Sequence, residues 1–279
     1  MEHANHSSAD PFERHCWPMR LWLAVPDWLF RAAGATFFFM YFLSQAQKYF
    51  ETPFLELGPY CILPNGDFFR SLWLSDWFDL TLLHGRRVQM PWVPVLIDIT
   101  FLQIALAFCF RIQARMRVSN GWMVSYTLLT AFAPLIPVWL GPLLGYWNAE
   151  WQQAYNAFLW RANYSWQLAL ALGVVMTIGV IIEVWGYAVL ARSLSIVPEA
   201  RELKVTGPYR LVRHPIYFGQ FIAMGGFLLI SANTHWVWIS LYALFVAMQL
   251  YRSKLEDRVL ADAFGEPYRQ WQQRTFWFV

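Results

Sequence analysis

WQLALALGVVMTIGVIIEVWGYAVL, residues Trp166–Leu190, is the stretch that decides the fold. Glu183 is its single charged side chain, and a bilayer-spanning helix needs about 20 mostly apolar residues. The composition around it points the same way. Of 279 residues, 58% are hydrophobic and 14% charged, with a mean hydropathy of +0.33, whereas soluble chains carry about 25% charged residues. Such a chain is neither disordered nor collagenous. Its net charge of +3 is too small to argue for a nucleic-acid partner.

Outward from that run lie five more of similar character: Trp28–Ala46, Pro91–Phe110, Gly121–Tyr146, Ile216–Ala232 and His235–Tyr251. Pro134, Pro137 and Pro142 are expected to kink the third, which neighbouring helices make tolerable in a membrane. The last two are separated by Asn233-Thr234 and read as a tight antiparallel hairpin. The fold class is therefore all-α, an integral membrane protein of about six transmembrane helices with a cytosolic C-terminal region.

Lys and Arg favour cytoplasmic loops. Arg14 and Arg20 precede the first run, Arg111, Arg115 and Arg117 follow the second, and Arg192, Arg201, Lys204, Arg210 and Arg213 follow the fourth. Arg252, Lys254, Arg258, Arg269 and Arg274 follow the last. Both termini are accordingly expected in the cytoplasm. Within the long segment 47–90, the aromatic stretch Phe68–Phe78 reads as lying along the interface. The first 25 residues show no apolar core of a secretory signal.

Cys16, Cys61 and Cys109 are too scattered for a disulfide framework or a metal knuckle, so no metal is expected. Cys109, inside an apolar run, reads as a core thiol. Asp98 and Glu183 are membrane-embedded carboxylates and hence functional candidates. Arg31 is near enough to its helix end to snorkel.

After Leu190 the texture changes. Ser193–Tyr217, SLSIVPEARELKVTGPYRLVRHPIY, interleaves polar and apolar residues, and Pro198, Gly207, Pro208 and Pro215 break any long helix. A loop of this length is often a binding loop. Gly207 allows close backbone approach, Tyr209 and Tyr217 can sandwich a planar group, and His214 can donate to one. Helical signal then continues from Trp236 to Phe264, with Leu255, Val259 and Ala263 recurring on one face and Gly265 and Pro267 as a stop. Arg252 and Glu256 stand four apart on one face, just beyond the final apolar run.

VTGPYRLVRHPIYFG (Val205–Gly219), a short helical hairpin, RSKLED (Arg252–Asp257) and FGEPYRQW (Phe264–Trp271) together resemble the isoprenylcysteine carboxyl methyltransferase family. These are integral-membrane enzymes related to the phospholipid methyltransferases, and the wording SLSIVPEAR resembles the bacterial branch. The resemblance implies S-adenosylmethionine as cofactor. It implies that the backbone of Leu203, Lys204 and Val205 lines that cofactor and that Tyr209, His214, Pro215, Ile216 and Tyr217 close over it. It also implies that Glu256 holds the cofactor and that Arg252 faces the carboxylate of the acceptor, so that Arg252 and Glu256 are the catalytic pair. Asp257 stands where the family often has a second Glu, and Tyr268, Trp271 and Phe276-Trp277-Phe278 replace its usual tail.

The implied function is methylation of a lipophilic acceptor at the membrane, foremost the carboxylate of an isoprenylcysteine-like substrate, with a lipid amine or thiol as alternatives. Membrane sterol reductases share part of the pattern and bind NADPH, so a reductase stays open. A channel or scaffold would leave the Val205–Glu256 constellation a coincidence. Residues 1–190 are expected to form the acceptor-side transmembrane region and 191–279 the catalytic region. The expected location is a bacterial inner membrane.

Overall fold

The computed structural model describes residues 25–46, 55–57, 60–62, 80–82, 86–88, 92–118, 120–133, 136–159, 166–231 and 236–276. The predicted interfacial stretch Phe68–Phe78, the region before residue 25 and the Asn233-Thr234 turn lie outside them. Every apolar run is helical where described. The helices are α1 (Asp27–Ala46), α2 (Trp92–Phe110), α3 (Gly121–Phe132), α4 (Ile136–Trp147), α5 (Ala149–Leu159), α6 (Trp166–Leu190), α7 (Pro215–Ser231), α8 (Trp236–Phe264) and α9 (Glu266–Arg274).

The third run is two helices, α3 and α4. The Asn120 side chain caps α3 by accepting from the Trp122 and Met123 amides at 3.0 and 3.4 Å. Pro137 sits in the first turn of α4, where a missing N–H costs nothing. The all-α expectation needs one amendment, because three small antiparallel pairs also form. They are β1 (Leu55–Leu57) with β2 (Tyr60–Ile62), β3 (Leu80–Leu82) with β4 (Arg86–Val88), and β5 (Met116–Arg117) with β6 (Glu199–Ala200).

One described helix, Leu170–Ser193, is long and apolar enough to cross a membrane, and Val95–Phe110 and Pro215–Leu229 are shorter apolar helices. Only 22% of the Leu170–Ser193 apolar window is buried inside the protein, unlike the core helix of a soluble domain. Val174, Val175, Ile178, Ile181 and Trp185 point outward. The opposite face meets α7 through glycines. A β-carbon on Gly179 would lie 2.4 Å from the Ala223 backbone nitrogen, and one on Gly219 would lie 2.6 Å from the Gly179 carbonyl oxygen. Gly186 approaches Ile216, while Gly226 approaches Leu172 and Met176, so the two helices run antiparallel. Small residues at such a seam let helix backbones approach closely in a membrane.

Around this pair, α1 and α2 pack through Phe38, Ile104, Ala105 and Phe108 together with Leu194. Val118, Val124, Val197 and Ala200 close over Val259, with Ala263 packed beside them. Leu255 and Val259 are buried, as the spacing on that face predicted. Cys109 does not join the core: it is exposed on α2. A helix apolar on every side does not reveal from sequence which face is covered.

The segments after α2 and after α6 are stitched together. The β5–β6 pair joins them, and the Ile112 amide donates to the Arg192 carbonyl at 3.0 Å. Asp27 draws in Arg31 and Arg111 at 2.7 Å, Arg117 at 2.8 Å and Arg201 at 3.5 Å. Arg31 therefore turns back to Asp27 instead of snorkelling. Glu199 pairs with Arg201 and with Arg117. Burial opposes the Asp27 charge, but its arginines prevail and hold the carboxyl below its ordinary value.

Candidate active site

Gly207 adopts φ +58°, a conformation that L side chains disfavour. A β-carbon there would also lie 2.8 Å from Val189 Cγ2 and 3.3 Å from Trp185 Nε1. The glycine thus lets the loop lie directly on α6. Pro208 then stiffens the short 3₁₀ turn Gly207–Arg210, which buries Tyr209. Pro215 opens α7, with His214 just before it and Ile216 and Tyr217 on its first turn, all buried.

These residues converge on two neighbouring carboxylates of α8. Tyr217 donates its hydroxyl to Glu256 Oε1, and Arg252 Nε donates to the same oxygen at 3.2 Å. Arg252 also lies 5.5 Å from the centre of the Tyr217 ring and donates from Nη2 to the Ile196 carbonyl at 2.6 Å. Burial works against the Arg252 charge, but Tyr217 and Glu256 outweigh it and hold the guanidinium protonated above its ordinary value. The predicted pair is therefore a buried junction of α8, α7 and the 193–201 segment rather than a surface ion pair. Glu256 Oε2 has only the 3.8 Å approach of His214 Nδ1 among the described residues.

His214 is held from its other nitrogen. Nε2 lies 2.8 Å from Asp257 Oδ1, and because an ionised carboxylate only accepts, that nitrogen carries the hydrogen. The His214 and Tyr217 rings stack 5.5 Å apart at 21°. Asp257 also accepts from Arg213 Nη1 at 2.8 Å and from the Tyr268 hydroxyl. Burial would raise the Asp257 carboxyl, but His214, Tyr268 and Arg213 together hold it below the ordinary carboxylate range. Tyr209 is pushed well above the ordinary phenol value by burial first, then by Tyr187 and Glu256.

The tail completes the enclosure. Tyr268 on α9 reaches Asp257, and Trp271 Nε1 donates to the Tyr209 carbonyl at 3.1 Å. Phe276 pairs with Val212 in a parallel bridge, its amide bonded to Leu211 and its carbonyl to Arg213. In the sequence, Asp257 and Tyr268 stand out only as departures from the family pattern. Their linkage to His214 spans 43 and 54 positions, which no local periodicity reveals.

Leu203, Lys204 and Val205 run without regular structure just before the turn, and their backbone groups make no hydrogen bond among the described residues. The Lys204 side chain points away to Glu202 at 2.7 Å. Glu183, the embedded carboxylate, accepts from Gln220 Nε2 at 3.1 Å. That partner stands 37 positions away and was not visible in sequence. Asp98 is buried on α2.

Three consecutive backbone units and one carboxylate oxygen without hydrogen-bond partners among the described residues, beside a stacked His–Tyr face, form a donor and acceptor set suited to a polar, partly aromatic small molecule. Residues 166–267, from the start of α6 to the start of α9, match the phospholipid methyltransferase family. This segment is similar to the membrane methyltransferases. The resemblance of its motifs to the isoprenylcysteine carboxyl methyltransferases is borne out at that level. The chain is also 35% identical over 67 residues to methanethiol S-methyltransferase 1 of Bradyrhizobium diazoefficiens. That alignment covers 24% of this chain and 22% of that relative. Both matches are to methyltransferases, and both cover a minor part of the chain.

Proposed function

We propose that the protein transfers a methyl group from S-adenosylmethionine to a lipophilic acceptor held at the membrane. The first reading of the acceptor is the carboxylate of an isoprenylcysteine-like molecule. The observation carrying the proposal is the Arg252–Glu256–Tyr217 junction, which leaves Glu256 Oε2 open beside the stacked His214 and Tyr217.

When bound, the cofactor supplies a methyl group activated by a sulfonium. The open Glu256 oxygen suits its ammonium or ribose hydroxyls, and the backbone of Leu203–Val205 offers donors and acceptors along its length. The Asp257–His214 bond keeps the HPxY turn in place. Arg252, held protonated, positions an anionic acceptor for in-line attack, and enclosure by the tail keeps water out. A carboxylate needs no general base. A thiol would first lose a proton, and the similarity to a methanethiol S-methyltransferase favours a thiol as the second reading.

The proposed setting is a multi-pass protein of about six spans with the site and both termini on the cytoplasmic side of a bacterial inner membrane. Calorimetry of the detergent-solubilised protein with S-adenosylmethionine, S-adenosylhomocysteine and NADPH tests the cofactor. Binding of the first two and not the third is expected, and the reverse overturns the proposal. Methyl-transfer assays then compare a farnesylcysteine analogue, a long-chain thiol and a short-chain soluble acid. Turnover of the soluble acid alone would refute a lipophilic acceptor.

A further inference from the structure

The ion-pair cluster around Asp27 has a surplus of charge that the proposed methyl transfer does not use. Among the described residues, four guanidiniums (Arg31, Arg111, Arg117 and Arg201) face two carboxylates (Asp27 and Glu199). Arg111 and Arg201 are 3% and 2% exposed, so water does little to neutralise them. The buried Nε atoms of both make no hydrogen bond among the described residues. Burial, then the neighbouring Arg201 charge, depresses Arg111 despite Asp27 and Glu199.

Arg111 and Glu199 also border a cavity of about 130 Å³ whose other walls include Phe30, Gly34, Phe108 and Leu128. The cavity is thus apolar with a cationic end. Trp28 and Phe110, exposed at the neighbouring ends of α1 and α2, mark the level at which aromatic side chains meet lipid headgroups. The Nη atoms of Arg117 and Arg201 already donate to Asp27, Glu199 and the Val25 and Ile112 carbonyls, so it is the surplus cationic charge at that level that matches a phosphate.

The geometry points to a binding site for the phosphate of an anionic phospholipid, with the guanidiniums of Arg111, Arg117 and Arg201 as its cationic wall. The Phe30–Phe108–Leu128 cavity takes the first carbons that follow the phosphate. The lipid ties the ends of α1 and α2 to the 193–201 segment, whose Ile196 carbonyl receives Arg252. This inference stands whether or not the methyl-transfer reading holds.

The test uses the full-length protein in nanodiscs of phosphatidylcholine with increasing phosphatidylglycerol, read by thermal unfolding and by native mass spectrometry of retained lipid. Preferential retention of phosphatidylglycerol, with a rise in unfolding temperature, is expected at 0.3 M salt, because buried pairs are screened little. Arg117→Gln should weaken retention about tenfold, the scale of one charge-assisted contact. Arg31→Gln, a peripheral change that leaves the buried arginines in place, should weaken it by a few-fold. Glu199→Gln should strengthen it by enlarging the surplus. Equal retention of both lipids by the unmodified protein overturns the inference, as does unchanged preference in Arg117→Gln. The same stabilisation by inorganic phosphate alone would also overturn it, since the apolar cavity would then have no part.

Discussion

Replacing Asp257 with alanine should loosen the loop and the tail together. Asp257 accepts from Arg213, His214 and Tyr268, and the side chains of Asp257, Arg213 and His214 are only 12%, 10% and 8% exposed. A hydrogen bond to a charged group is worth about 1.5–3 kcal/mol. The three are not additive, because they share one carboxylate. Removing one partner of a buried pair costs about 3–5 kcal/mol, and that is the expected penalty. It should appear as local opening rather than global unfolding. Hydrogen exchange followed by mass spectrometry reads it directly: amides in 207–217 and in 266–276 should both exchange about a hundredfold to a few thousandfold faster, since each 1.4 kcal/mol is about tenfold. Tyr268→Phe removes one bond and should give about a tenfold change in the same two segments. If Asp257→Ala left either segment at its original rate, the clamp described here would not exist. The pH dependence follows from the sign of the shift. Because the folded carboxyl lies below its ordinary value, its contribution is fully present above the ordinary carboxylate pKa. It is lost as pH falls through the depressed value, and Asp257→Asn should flatten the acid limb of the stability profile.

Glu256→Gln should weaken S-adenosylmethionine binding about tenfold or more by calorimetry, whereas Arg252→Lys should mainly lower kcat/KM for the acceptor because the forked contacts are lost. Gly219→Val should abolish a monodisperse folded product on gel filtration, because its side chain would meet the backbone of Gly179 and Glu183. Gly265→Ala should cost about 1–3 kcal/mol in a thermal melt, since φ +60° with ψ −131° disfavours a side chain although nothing lies within 4 Å of the new carbon. Gln220→Leu should destabilise the fold by about 1–3 kcal/mol, because it strips the Glu183 carboxyl of its donor.

The helices were legible because their signal is local. Runs of apolar residues fixed α1, α2, α6 and α7 closely, and the proline cluster foretold the interruption between α3 and α4. Arg252 and Glu256 were legible because four positions on a helix are one turn. The short strand pairs were not, because β5 and β6 meet across 82 or more positions and carry no strand pattern of their own. The tail's part in the site was likewise hidden. Tyr268, Trp271 and Phe276 look in sequence like ordinary aromatics of a polar helix and its exit, and only the three-dimensional course of α9 brings them onto Tyr209, Val212 and Asp257.

The glycine contacts between α6 and α7 have a mechanical consequence. Most helix pairs meet through a layer of side chains that can change rotamer, which gives them freedom to slide or roll by fractions of a turn. Here Gly179 and Gly219 meet main chain to main chain, and Gly226, seven positions on, repeats the approach against the backbone of Leu172 and Met176, whereas Gly186 meets the Ile216 side chain. No compliant layer is present at the main-chain contacts. Displacement along the axis would drive carbonyl oxygens into Cα atoms, so the pair behaves as a single beam. Entry and exit of an acceptor must then be accommodated by bending elsewhere, in the 193–214 segment and the α9 strap, while the beam holds Glu183, Gln220 and Tyr217 at constant spacing.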